Sequence, residues 1–153
     1  MRKKRMMGFR VIMTMGIVLV VMLLLGQMMS FINYDFTVSI GLQESSDKVG
    51  KLGVALNKGF GVGDTIVYTP LLVIGLIGLW LRKMWGVFAM VSALAITAYW
   101  PMVTLFFLLF AQGVPGFNIT GVTMYATFLV PITIYGIWGV WFLYRNQRKL
   151  VSE

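Results

Sequence analysis

The 153-residue chain is 59% hydrophobic and 12% charged, against about a quarter charged in ordinary soluble domains, so lipid is the expected solvent. It contains no cysteine and no histidine, which excludes disulfides, thiolate chemistry, Cys-ligated metals, and the commonest general base and haem or metal ligand. The formal net charge is +8, but the bases sit at the ends of apolar runs. There they read as topology signals and contacts to anionic membrane lipids, not as a nucleic-acid surface. No cofactor and no metal site is expected.

The first ten residues carry Arg2, Lys3, Lys4, Arg5 and Arg10, and an uncharged run follows from Val11 to about Met29. About 20 apolar residues span a bilayer. A secretory signal has a similar basic start, but Gly26-Gln-Met-Met-Ser30 lacks a small-x-small cleavage pair. An uncleaved first transmembrane helix is expected, with a cytoplasmic N-terminus.

Residues 30–63 form the long polar loop. Tyr34–Ile40 alternates and is rich in β-branched and aromatic residues, which predicts a short extended segment. Ser46–Lys58 reads as an amphipathic helix: Val49, Leu52, Leu56 and Phe60 recur at helical spacing, Ser45 or Ser46 supplies a cap, and Gly59 supplies an end. Such a helix rests on the membrane or the bundle, or covers a pocket.

Residues 64–81 form the second span, with Asp64 at its outer end and Pro70 in its second turn. Gly75 and Gly78 offer a surface for close helix contact. Arg82-Lys-Met-Trp85 is too short for anything but a hairpin into the third span, 85–111, where Pro101 predicts a bend. Gln112–Phe117 is a Pro-Gly turn. Asn118-Ile-Thr120 matches a glycosylation sequon but lies at the membrane edge, where it reads as a chance match. The fourth span, 118–144, contains Pro131 and ends in an aromatic belt of Trp138, Trp141 and Tyr144 before Arg145, Arg148 and Lys149.

The expected fold is an all-α integral membrane protein. A single domain over 1–153 forms a four-transmembrane-helix bundle with both termini inside and a short amphipathic helix in the first extracytoplasmic loop. The halves show no internal repeat, so an inverted-repeat transporter is not supported. A prokaryotic cytoplasmic membrane is the expected location.

Sorting polar residues by depth puts Gln27, Asp64, Thr65, Tyr68, Thr69, Thr104, Thr120, Thr123 and Thr127 in the outer half. Tyr99 falls near the midplane. Polar groups in lipid turn toward protein or water. A polar pocket open to the outside is therefore expected, built from Asp64, Tyr68, Thr69, Tyr99, Thr123 and Thr127, with Asp35, and Glu44 beside it, able to fold over Asp64 as a carboxylate cluster. The plainer alternative is that these groups bond to their own helices and that Asp64 caps the second helix, a contribution of about 1 kcal/mol.

The favoured function is a non-catalytic binding, accessory or assembly protein that contacts membrane lipids, a second copy of the chain or a partner membrane protein. The first alternative is an intramembrane proton-transfer enzyme acting on a lipid-like substrate through Asp64 and Tyr68. The second is a subunit of an oligomeric channel or transporter.

Overall fold

The computed structural model describes residues 2–151, which are mostly helical with no strand among them. The elements are α1 (Arg2–Met22), a π-helical segment π1 (Leu23–Met28), α2 (Met29–Ile32), α3 (Tyr34–Ser39), α4 (Ser46–Gly63), a second π-helical segment π2 (Asp64–Tyr68), α5 (Thr69–Trp80), α6 (Met84–Phe110) and α7 (Val122–Leu150). Among the described residues, four helical runs are long and apolar enough to cross a membrane: Met7–Ile32, Ser46–Trp80, Met84–Phe110 and Val122–Leu150. The chain is an all-α membrane protein built as a four-helix bundle.

α6 is the central helix, with α5 along one side and α7 along the other. Two glycines decide how closely α5 and α6 approach. A Cβ on Gly78 would stand 2.3 Å from the Cα of Gly86, so no side chain fits between the backbones there. The turn below them is tight. Arg82 takes a left-handed φ of 56°; its N–H donates to Leu79 O and the N–H of Lys83 donates to Gly78 O. These are the two bonds of a Schellman ending, which satisfies the last carbonyls of α5. α1 leans against α5, with Gly16 beside Leu76, and meets α7 where Gly8 lies beside Phe142. The core at this end holds Ile12, Leu72, Leu79, Met90, Leu94 and Leu143. A smaller cluster of Val49, Leu108, Ile119 and Leu129 lies at the end remote from both termini. Apolar residues also cover the outside of the bundle, among them Ile17, Ile66, Phe88, Phe128 and Ile137, as expected for a surface solvated by lipid chains.

Several local expectations are corrected. Tyr34–Ser39 is helical, not extended. Asn33 caps it, its Oδ1 accepting from the Phe36 N–H at 3.1 Å, and Tyr34 and Thr37 are buried one turn apart. Strand preference is a matter of packing context, and here a cap and a buried face override it. The amphipathic helix exists, but Gly59 does not end it: α4 runs through π2 into α5. Asp64 therefore has helical dihedrals inside a continuous helix (φ −65°, ψ −36°) and is not an N-cap. Leu52 does not share the face of the buried Val49 and is 83% exposed. Gly50 (φ 68°, ψ 172°) breaks the helical phase just before it, a conformation only glycine adopts readily. The fourth span begins at Val122, after Gly121 at φ 77°, so Thr120 is off the helix that carries Thr123 and Thr127.

Substituting Gly78→Leu should force the α5–α6 hairpin apart. The expected loss is at least ~2 kcal/mol, by analogy with overpacked cores, read as a lowered unfolding midpoint in a detergent titration.

Candidate functional site

The α1 run and the α4–α5 run each lose regular α geometry at the same level. π1 and π2 pack against each other. A π turn inserts an extra residue and redirects the side chains around it, and such turns concentrate at functional sites. Just before π2, α4 meets π1 and α2 at Gly61: a Cβ there would fall 2.2 Å from Ser30 Oγ and 2.4 Å from the Gln27 carbonyl oxygen. The Ser30 hydroxyl donates to that same carbonyl at 2.6 Å.

Beside this contact lies a cavity of about 370 Å³. Its polar side includes Gln27 from π1 and Asp64 from π2. α4 contributes Gly53, Leu56, Asn57 and Phe60, and α6 contributes Trp100, Val103, Thr104, Phe107 and Leu108. Tyr125 and Leu129 of α7, Phe117 and Ile119 of the α6–α7 loop, and Gly41–Glu44 complete the wall. Gly53, Leu56, Asn57, Phe60 and Asp64 recur at helical spacing, so one face of the α4–π2 run forms a continuous side.

Gly41–Glu44 is a non-helical strap across the cavity. Gly41 turns it with φ 73°, and the N–H groups of Leu42 and Gln43 both donate to Thr37 O. Glu44 then ties three elements together. Its carboxylate accepts from Lys48 Nζ at 2.8 Å and from the Tyr125 hydroxyl of α7. Its backbone carbonyl accepts from the Tyr34 hydroxyl at 2.8 Å, and that hydroxyl accepts from Asn57 Nδ2 at 3.0 Å. The α6–α7 loop is fastened nearby by Asn118, which donates from its backbone to Lys48 O and from its side chain to Asp47 O. Partial burial pushes the Glu44 carboxyl upward, but the hydrogen bonds from Lys48 and Tyr125 and the Lys48 charge outweigh it, so Glu44 sits below the ordinary carboxylate range. Burial raises the Tyr34 phenol; the Asn57 bond opposes that shift and the Glu44 charge adds to it.

Of the residues expected to form a pocket, Asp64 lines the cavity. The others lie elsewhere. Tyr68 is 1% exposed in the core, and its hydroxyl meets Thr97 Oγ1 at 2.6 Å. Thr97 itself donates to Ala93 O, so the Tyr68 hydroxyl is the donor between the two. Thr69 is buried beside it without reaching the cavity. Tyr99 is 69% exposed. Thr123 and Thr127 are exposed, and the Thr127 hydroxyl donates to its own helix at Thr123 O. Asp35 is exposed on α3 and does not line the cavity. Asp64 and Tyr68 are one helical turn apart, yet the intervening π geometry sends one to the cavity and the other to the core.

Among the polar lining residues, sequence reasoning does not select Gln27, Asn57 and Tyr125, and Glu44 enters it only as a carboxylate folding over Asp64. Glu44 and Lys48 did carry a signal, since opposite charges four apart pair on a helix or at its start. Gln27 was recognisable only as a polar residue at outer depth. Among the described residues, the buried side-chain polar atoms lacking a partner are Gln27 Oε1 and Tyr135 Oη.

The strap's attachment depends on Glu44 remaining charged. A carboxyl whose folded pKa is depressed adds stability that is present above its unfolded value, about 4.3, and lost as pH falls through the folded value. A nitroxide on Gln43→Cys, unique in this cysteine-free chain, should gain mobility only as pH falls below the ordinary carboxylate range. Tyr125→Phe should produce part of that gain at neutral pH, since a hydrogen bond to a charged group is worth about 1.5 kcal/mol and this one is partly screened. Comparison of the chain with family models, with curated proteins and with solved structures finds no match, so the cavity's role rests on its own chemistry.

Proposed function

We propose that this chain is a membrane-embedded binding protein whose cavity takes a small amphipathic molecule on the extracytoplasmic side. The observation that carries this reading is the cavity itself. About 370 Å³ lies within the range of small-molecule sites, which are typically apolar-walled with a few convergent polar groups. Here the wall is mainly aliphatic and aromatic, with Gln27, Glu44, Asn57, Asp64 and Tyr125 among its few polar residues.

The orientation follows from charge. Arg10, Arg82, Lys83, Arg145, Arg148 and Lys149 flank one end of the bundle; Asp35, Glu44, Asp47 and Asp64 lie toward the other. The positive-inside rule makes the basic end cytoplasmic and the cavity end extracytoplasmic, as in a prokaryotic plasma membrane. Asp64 lies sixteen residues before Trp80, or about 24 Å of helix, inside a hydrocarbon layer of about 30 Å. An ionisable residue at that depth is a functional candidate by its cost alone.

The alternatives find less support. Proton transfer between Asp64 and Tyr68 needs both groups at one substrate, and the Tyr68 hydroxyl is turned to Thr97. A channel through one chain needs a polar path, and Ile12, Leu72, Leu79, Met90 and Leu143 close the basic end.

Native mass spectrometry of the protein released from mild detergent should show an amphiphile retained at one per chain. Leu129→Trp, which fills the cavity from α7, should lose it. Equal occupancy in both proteins, or none in either, would remove support for the site. Orientation is checked separately: single cysteines at Lys51 and Lys149 should differ in labelling by an impermeant thiol reagent, with only Lys51→Cys reacting from outside.

A further inference from the structure

Resting on the reading of the cavity as a ligand site, we infer that its occupant is an anionic phospholipid of the outer leaflet, with one acyl chain in the cavity and its phosphate at Lys51. A second cavity of about 500 Å³ adjoins the first. The two share Val49, Gly53, Leu56, Phe107 and Phe117 as wall residues, so they form one groove between α4 and the outer end of α6. Helix packing does not close this side: α4 packs on π1, α2 and π2, whereas α6 packs on α5 and α7. Leu56, Phe60, Val103 and Phe107, which line the first cavity, are 37–48% exposed. The hydrocarbon core holds no water, so an apolar mouth at that depth opens on lipid chains.

Depth and charge identify the head. Lys51 lies 29 residues before Trp80 in one helical run, or about 43 Å of helix. A bilayer with its headgroup regions measures about 40–45 Å. With Trp80 at the inner interface, Lys51 stands among the outer headgroups, whereas Asp64 lies at chain level. The groove thus has the profile of one lipid in one leaflet. Lys51 is the charged residue in the lining of the second cavity. The neighbouring lysines are engaged, Lys48 by Glu44 at 2.8 Å and Lys58 by the Tyr34 ring. An ammonium at headgroup level pairs with a phosphate; a free fatty acid carries its carboxylate nearer the hydrocarbon and leaves Lys51 unmatched. Glu44 and Asp64 line the first cavity but not the second, so the charge of the head is kept apart from theirs. Much of the polar surface beside the chain is spent within the protein: Glu44 accepts from Lys48 and Tyr125, and Asn57 donates to the Tyr34 hydroxyl.

The test uses the full chain in nanodiscs of equimolar phosphatidylglycerol, phosphatidylcholine and oleic acid, both phospholipids carrying oleoyl chains, followed by native mass spectrometry in mild detergent. One phospholipid should stay bound per chain. Phosphatidylglycerol should be retained about fivefold more often than phosphatidylcholine, the effect of one basic residue at an anionic headgroup. Lys51→Gln should bring that ratio close to one while a phospholipid remains bound, which also shows that the variant is folded. Lys149→Gln, at the opposite end, should leave the ratio unchanged. Leu56→Trp, which fills the wall common to both cavities, should lose the lipid. Equal retention of the two phospholipids by the unmodified protein, or a ratio that Lys51→Gln does not move, would overturn the inference. Oleate retained in place of a phospholipid would overturn it and leave the ligand site standing. A phospholipid that survives both Leu56→Trp and Leu129→Trp would lie outside the groove and overturn both readings, as would a chain that retains none of the three.

Discussion

The contact between π1 and π2 is the constraint on which the cavity depends. Gly61 lets the backbone of the second span touch the Gln27 carbonyl and the Ser30 hydroxyl of the first. Two regular α-helices meeting this closely would continue to pack side chain into groove along their length. Here each helix takes up an extra residue instead. The helices stay joined at one level, and the side chains beyond it are redirected. Gln27 and Asp64 face the cavity as a result, whereas Tyr68, four residues on, faces the core and bonds Thr97.

The two ends of the bundle are built on different principles. The end with both termini is packed through glycine contacts and fully buried aliphatic side chains, which suits a region where lipid supplies no hydrophobic drive for helix association and close van der Waals fit must serve. The cavity end is held by polar links between short elements. Asn33 caps α3, Tyr34 and Asn57 tie α3 to α4, and Glu44 joins the strap to α7. Polar links of this kind open locally at lower cost than a packed core. A buried cavity roofed by such links can exchange its contents while the closed end stays intact.

Much of this was legible from composition and spacing. The four spans, the hairpin at Arg82-Lys83 and the close contact at Gly75 and Gly78 follow from apolar run length, short loops and small residues, which act locally. The candidate site was less legible, for physical reasons that particular residues illustrate. Thr123 and Thr127 share a helix face, as their spacing requires, but that face is exposed, and a threonine can satisfy its hydroxyl on its own helix. Tyr99 lay at the right depth on the wrong side of α6. Depth is one coordinate, and rotation about the helix axis is the other; α6 is apolar on nearly every side and carries no periodic signal to set that rotation. Leu52 left the face of Val49 because Gly50 reset the phase between them.

By itself the sequence determined that lipid is the solvent, that four helices cross it, that histidine and cysteine chemistry is absent, and that an acid stands near the end opposite the basic flanks. These follow from residue type and run length, which no tertiary arrangement alters. The tertiary structure alone decided that Asp64 is a helix-interior group facing a cavity, because a helix that continues from α4 leaves no terminus to cap. It also decided that Glu44 and Tyr125, 81 residues apart, meet across the strap. That pairing depends on where α7 lies around α6, and nothing in the local order of residues encodes it.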